Sequence, residues 1–343
     1  MSGLSTPVPG LSLGAQRQRL PLAGLVFALM GAVAFSGKAI VIKLTYRYGV
    51  DAMTLIMLRM LFALPFFLIM AAWAEFQARR IPSTGVGALV SPQTSQSLTF
   101  EDRPKRQFRV TLSAKDMREI AFLGFMGYYF SSFLDIIGLQ YVSASLERLI
   151  LYLNPTLVLI LGWVFLKRRV SLKRGVAMGV SYLGLLVAFG AELAVSSSHV
   201  WLGSGLVFMS ALTYAGYMML SERLLERIQS LRLVAWASSM ACACCILQFT
   251  LFRSWQALSL PVEVLQLALI NAIVCTVLPI FFVMKGIELM GGAITAQVGM
   301  IGPVSTLLMS FWILGEPLNA WIGLGTLLVL VGVFLVSRLG VEQ

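Results

Sequence analysis

One histidine, His199, is all the imidazole this chain has in 343 residues, and only 12% of its residues are charged. A lone histidine in a short polar loop excludes metal and general-base chemistry that needs two or more imidazoles. No HExxH, GxSxG or P-loop spacing occurs, so zinc hydrolysis, a serine nucleophile elbow and nucleotide hydrolysis have no motif to rest on. Neither a metal site nor a cofactor is expected, and the chain does not read as an enzyme. The four cysteines, Cys242, Cys244, Cys245 and Cys275, lie inside apolar runs, where a thiol packs as a small hydrophobe. Cys242 and Cys245 share a helix face, but no Met or His motif joins them into a soft-metal site. Scarce charge beside 58% hydrophobic residues excludes a water-soluble domain, which could not bury that much apolar surface.

The charge that is present is basic, with 26 Lys and Arg against 15 Asp and Glu and a net charge of +11. In a soluble protein this would suggest nucleic acid. Here the basic residues sit in particular short loops, as in a membrane protein, and no nucleic-acid partner is expected. Apolar runs long enough to cross about 30 Å of hydrocarbon at about 1.5 Å per residue recur along the chain. They predict an all-α membrane protein of ten transmembrane helices, at 22–43, 52–74, 119–140, 144–166, 173–191, 202–220, 233–252, 264–286, 292–314 and 319–337. Arg17, Arg19 and the run Ala32-Val33-Ala34 resemble a signal peptide, but the apolar stretch continues to Ile42 and reads as a retained anchor. With the N-terminus in the cytoplasm, twenty Lys and Arg fall on the inner side and four on the outer. The bias places both termini inside a cell membrane, expected to be a bacterial inner membrane.

The chain contains an internal echo. A shift of 148 residues superposes Gly138 on Gly286, Pro155 on Pro303, Leu166 on Leu314, Gly175 on Gly323 and Gly184 on Gly332. A weaker echo relates the two "GLVF" runs at 24–27 and 205–208, offset by 181. The expected organisation is a tail at 1–21, a first five-helix repeat at 22–191 and a second at 202–338. Five is odd, so the second repeat enters from the opposite side and the halves are inverted, as in many secondary transporters. The difference between the offsets predicts an insertion at about 77–116, polar and then basic, in the cytoplasm. Ser113 and Asp116 at its end read as a capping box.

These features resemble the drug/metabolite transporter superfamily, specifically its EamA type. The residues that carry the resemblance are the paired prolines in the fourth helix of each repeat and the closing "ILGEPLNAWIGLGTLLVLVGVFLVSR", with Leu314-Gly315-Glu316-Pro317 its most specific run. The resemblance implies ten helices around a central cavity and alternating access for small metabolites, often exported amino acids or related compounds. One departure stands out: the acidic residue at Glu316 is matched in the first repeat by Arg168.

Charges inside spans mark candidate sites, because each costs roughly 2.5–3.5 kcal/mol at the bilayer centre unless it faces protein or water. Lys38, Arg59, Asp135, Glu147 and Arg148 all fall in the outer half of the first repeat. Lys38 and Arg59 are candidates for an anionic substrate group, and Asp135 or Glu147 for an amine or an exchanged proton. The structural alternative pairs Asp135 with Arg148, and Glu147 with Lys38 or Arg59. Pro155 leaves the Leu151 carbonyl without a donor and shares a face with Tyr152 and Arg148. Pro303 does the same for Gly299, with Gln297 nearby. Both helices are expected to kink and line the path. Tyr214 and Tyr217 complete the candidates. The function expected is a secondary exporter of a small polar metabolite such as an amino acid, coupled to a proton or cation or driven by exchange. The alternatives are a channel or a lipid-modifying membrane enzyme.

Overall fold

The computed structural model describes residues 22–80, 112–167, 171–195, 199–225, 227–290, 292–317 and 319–338. The N-terminal tail, most of the expected insertion and Arg168 lie outside the described residues. Ten helices are long and apolar enough to cross a membrane: α1 Leu22–Tyr46, α2 Ala52–Ala78, α3 Ala114–Gly138, α4 Ala144–Leu166, α5 Leu172–Ala194, α6 Val200–Leu225, α7 Ser230–Phe252, α8 Val262–Ile287, α9 Gln297–Leu314 and α10 Ala320–Arg338. In lipid only a helix satisfies its own backbone, which is why apolar runs become helices here.

Polar caps set several helix starts beyond the apolar runs. α3 begins at Ala114 because Ser113 and Asp116 form the reciprocal capping box. α2 begins after Asp51, whose Oδ2 accepts from the N–H groups of Met53 at 3.1 Å and Thr54 at 3.2 Å. Burial alone would raise the Asp51 carboxyl pKa. Hydrogen bonds from Thr54, with Arg253 alongside, outweigh it and hold the group below the usual carboxylate range. The preceding turn reverses through Gly49 at φ +73°, a left-handed position that suits glycine.

Irregularities recur along the chain at one offset. α3 contains a π-helical turn at Phe125–Phe130 and α8 one at Ile273–Val277. α4 is interrupted, its first half ending at Leu151 and its second starting at Asn154, beside Pro155. The α9 segment is interrupted likewise, with Gly292–Gly299 followed by Gly302–Met309 beside Pro303. α4 closes on Lys167 at φ 53° and α9 on Gly315 at φ 73°, both left-handed. Each of these pairs is separated by 148 positions.

The packing has a matching order. α1 packs on α8 and α9, while α6 packs on α3 and α4; α2 packs on α7, and α5 on α10. The α5–α10 contact is the most extensive of these. A Cβ at Gly325 would lie 2.6 Å from the Gly184 carbonyl oxygen, and one at Gly332 would lie 2.2 Å from Ser181 Oγ. Small residues let membrane helices approach until their backbones touch. Leucine, phenylalanine and tryptophan side chains such as Phe165, Leu172, Trp201, Trp312 and Trp321 project outward as a lipid-facing surface.

Candidate functional site

Near the end of the bundle that carries Gly49, five helices bring their polar residues together. Lys38 on α1 places Nζ 2.5 Å from Asp135 Oδ2 on α3 and 3.8 Å from Glu147 Oε1 on α4. Asp135 and Glu147 are each only 1% exposed. Buried carboxylates are tolerated only with a counter-charge, and one ammonium serves both. It serves them unequally: neither Glu147 oxygen accepts a hydrogen bond. Arg59 on α2, 3% exposed, reaches the same region through Nη2, which donates to Ser132 Oγ at 3.1 Å. Ser132 lies one turn before Asp135 on α3. Arg59 Nε has no partner.

Arg148 follows Glu147 but points elsewhere. Its guanidinium lies over the Phe35 ring, 5.0 Å from the centroid, and its buried Nε has no partner. Among the described residues Arg148 makes no ion pair and no hydrogen bond. The alternative pairing of Asp135 with Arg148 is therefore not formed, and Asp135 pairs with Lys38 instead. Opposite Arg148 stands Gly302, where the second half of α9 begins. A Cβ there would lie 3.0 Å from Nη2 and 3.5 Å from Nε. Ser36 Oγ fixes this approach, lying 2.9 Å from the Gly302 carbonyl oxygen and 2.8 Å from that of Ala32.

The other candidates fall around or away from this cluster. Tyr152 marks the end of the first half of α4. Gly299 ends the corresponding half of α9, and a Cβ there would meet nothing within 4 Å. Gln297, two residues earlier, is exposed. Tyr214 and Tyr217 are not with the charges. They form an aromatic cluster with Tyr128, whose hydroxyl is 3.3 Å from that of Tyr217, among Ile120, Leu123 and Leu233. Gly127 makes room for it, since a Cβ there would be 2.3 Å from the Tyr217 ring.

Residues that the sequence did not single out for the site fasten the Gly49 end. Ser143 caps α4 and is itself held by Glu192 of α5, with its N–H 2.7 Å from Oε1 and its hydroxyl 2.8 Å from Oε2. The Ala144 N–H donates to Glu316 Oε1 at 3.2 Å, and Lys43 Nζ stands 3.8 Å from the same oxygen. Arg47 Nη2 donates to the Leu314 carbonyl at 2.6 Å, and Ser145 Oγ is 2.8 Å from Ser310 Oγ. The ends of α1, α4 and α9 are thereby tied together. A hollow of 390 Å³ outside this closure is lined by Lys43, Tyr46 and Asp51 but not by the charged cluster.

The opposite end is joined differently. Arg232 at the start of α7 is 2% exposed and forms a fork with Glu75 of α2, with Nε 2.6 Å from Oε1 and Nη2 paired to Oε2. Arg227 Nη2 donates to Glu119 Oε2 at 2.7 Å. These contacts join α2, α3 and α7. At this end the second half of α4 packs on α6, whereas the first half of the α9 segment packs on α1 and α8. Among the described residues no group of three His, Cys, Asp or Glu side chains is placed to hold a metal.

Comparison with known proteins places this architecture. The EamA-like transporter family matches residues 22–190 and again 201–338. An uncharacterized transporter of Bacillus subtilis (strain 168), YcbK, is 28% identical over 302 residues, covering 87% of each chain. Another from the same organism, YyaM, is 25% identical over 219 residues, covering 63% of this chain and 71% of its own. One solved crystal structure superposes with a TM-score of 0.57 at 14% identity, over 91% of this chain and 96% of its own, a likeness of fold alone.

Proposed function

Because the chain belongs to the EamA-like transporter family, we propose that this multi-pass membrane transporter is a secondary carrier exporting a small polar metabolite, such as an amino acid, by alternating access. The two halves, 22–191 and 202–338, act as inverted repeats. The Gly49 end faces outward, and both termini lie in the cytoplasm of a bacterial inner membrane. The basic bias of the loops supports this orientation, and the features recurring every 148 positions support the repeat.

The observation that carries the reading is the asymmetry between the ends. At the Gly49 end α1, α4 and α9 are hydrogen-bonded together. At the other end the second half of α4 packs on α6 and the first half of the α9 segment on α1 and α8, with no comparable contact between the two halves among the described residues. A carrier closed outside and parted inside has this form. The outward-open state follows when the inverted halves exchange the two arrangements. The charged cluster lies just beneath the closed end and is the proposed binding region. A proton or cation gradient, or substrate exchange, supplies the driving force.

The test is counterflow in proteoliposomes preloaded with amino acids, organic acids, nucleosides or sugars. Saturable uptake that is accelerated by the same compound inside is expected. Flux without saturation, with single-channel currents, would make the protein a channel. Chemical turnover of lipid would make it an enzyme.

A further inference from the structure

Three cations and two carboxylates meet where α1, α2, α3, α4 and α9 converge, leaving one positive charge uncompensated. Lys38 is taken up by Asp135 and Glu147. Arg59 approaches Asp135 through Ser132. Arg148 is the cation left over. The ring of Phe35 beneath its guanidinium offers a cation–π contact of only about 0.5–2 kcal/mol. That is small against the several kcal/mol it costs to take an ion out of water.

What faces Arg148 is the start of a half-helix. Gly302 opens the half-helix Gly302–Met309, and a helix start presents N–H groups without partners and the positive end of the dipole. Nothing but hydrogen stands on Gly302, since a Cβ would come within 3.0 Å of Nη2. Ser36 thus holds the half-helix start against the guanidinium. On the adjoining face of α4, Glu147 is 1% exposed with both oxygens free of hydrogen bonds. A buried acceptor beside a half-buried, unpaired cation asks for a ligand bearing both a negative group and a donor.

Resting on the carrier reading, we propose that Arg148 and the half-helix start at Gly302 bind the carboxylate of the cargo, and that Glu147 receives its ammonium or hydroxyl. The cargo is a small monocarboxylate. The unpaired guanidinium calls for one carboxylate beside it, and its fork matches that group's planar geometry. Lys38 and Arg59, the cations that stand out in the sequence for this task, are positioning residues engaged with the first repeat's own side chains.

The probes are amino acids and 2-hydroxy acids, each matched with its carboxamide. They are tested by thermal shift and by counterflow on the full chain and on Arg148→Gln, Arg148→Lys and Gly302→Ala. Acids should stabilise the protein and exchange, and their amides should do neither. Arg148→Gln should weaken the acids about tenfold or more, the usual worth of hydrogen bonds to a charged group. Gly302→Ala should weaken them with the charge unchanged, and Arg148→Lys should recover only part of the affinity. If Arg148→Gln fails to fold, the other two variants carry the test. Amides that work as well as acids, acids indifferent to all three variants, or no response to any probe would overturn the site. Counterflow that persists unaltered in the variants would overturn the site while leaving the carrier standing. Acid-specific stabilisation lost in the variants, without flux of any probe, would uphold the site and overturn the carrier.

Discussion

At the scale of single residues, the central fact is that one lysine serves two carboxylates. Replacing Lys38 by Met leaves Asp135 and Glu147 buried without their shared counter-charge, a loss expected to cost about 3–5 kcal/mol. Asp135→Asn removes one of the acids. The double variant should therefore be more stable than the sum of the single effects predicts, by about 0.5–3 kcal/mol. Denaturant unfolding in detergent micelles measures this cycle, and strict additivity would mean that the ion pair is not coupled. Lys38, Asp135 and Glu147 were legible because a charge in an apolar run has no bland reason to be there. The isolation of Arg148 was not. Its neighbour Glu147 looks like a partner on paper, yet successive helical residues point about 100° apart. Only the positions of α1 and α9 reveal that one faces Lys38 and the other Phe35 and Gly302.

At the scale of elements, the interrupted helices matter most. Pro155 cannot donate to the Leu151 carbonyl, and α4 breaks beside it. Pro155→Ala restores a donor that can join the two halves. Thermal stability should change little, since the restored hydrogen bond is offset by the freedom the unfolded chain gains, while the counterflow rate falls severalfold. A variant as fast as the native chain would show that the break is not a hinge. The prolines point to these breaks in the sequence, but nothing in the sequence announces the π-helical turns at Phe125 and Ile273, which have no residue signature. Glu316 was visible as part of the LGEP run, but its task was not. The left-handed Gly315 ends α9 and turns the chain so that the next carboxylate meets the start of α4. That meeting depends on where α4 stands, which no local pattern encodes.

For the whole molecule, the proposed cycle requires the Gly49 end to open. Ser145 and Ser310 face each other there with oxygens 2.8 Å apart, close enough for a disulfide if both become cysteine. Ser145→Cys with Ser310→Cys should lose counterflow under oxidising conditions and regain it on reduction, with each single variant active throughout. Full activity in the oxidised double variant would refute opening at this end. The ten spans could be read from composition because lipid permits few alternatives. The order in which they pack could not, since lipid tails are as apolar as leucine and give helices no hydrophobic reason to choose a neighbour. The glycines at 184, 325 and 332 were visible, but which backbones they admit was not. The fastening at the Gly49 end has one more consequence. Beside the apolar contacts there stand polar ties: the Ala144 N–H on Glu316, the Arg47 guanidinium on the Leu314 carbonyl, one hydroxyl on another. When they separate, each group must find a new partner at once, and the only one at hand is water. Opening is therefore a wetting event. Its rate should follow water activity, so that osmolytes that dry the outer vestibule slow the carrier without touching its cargo.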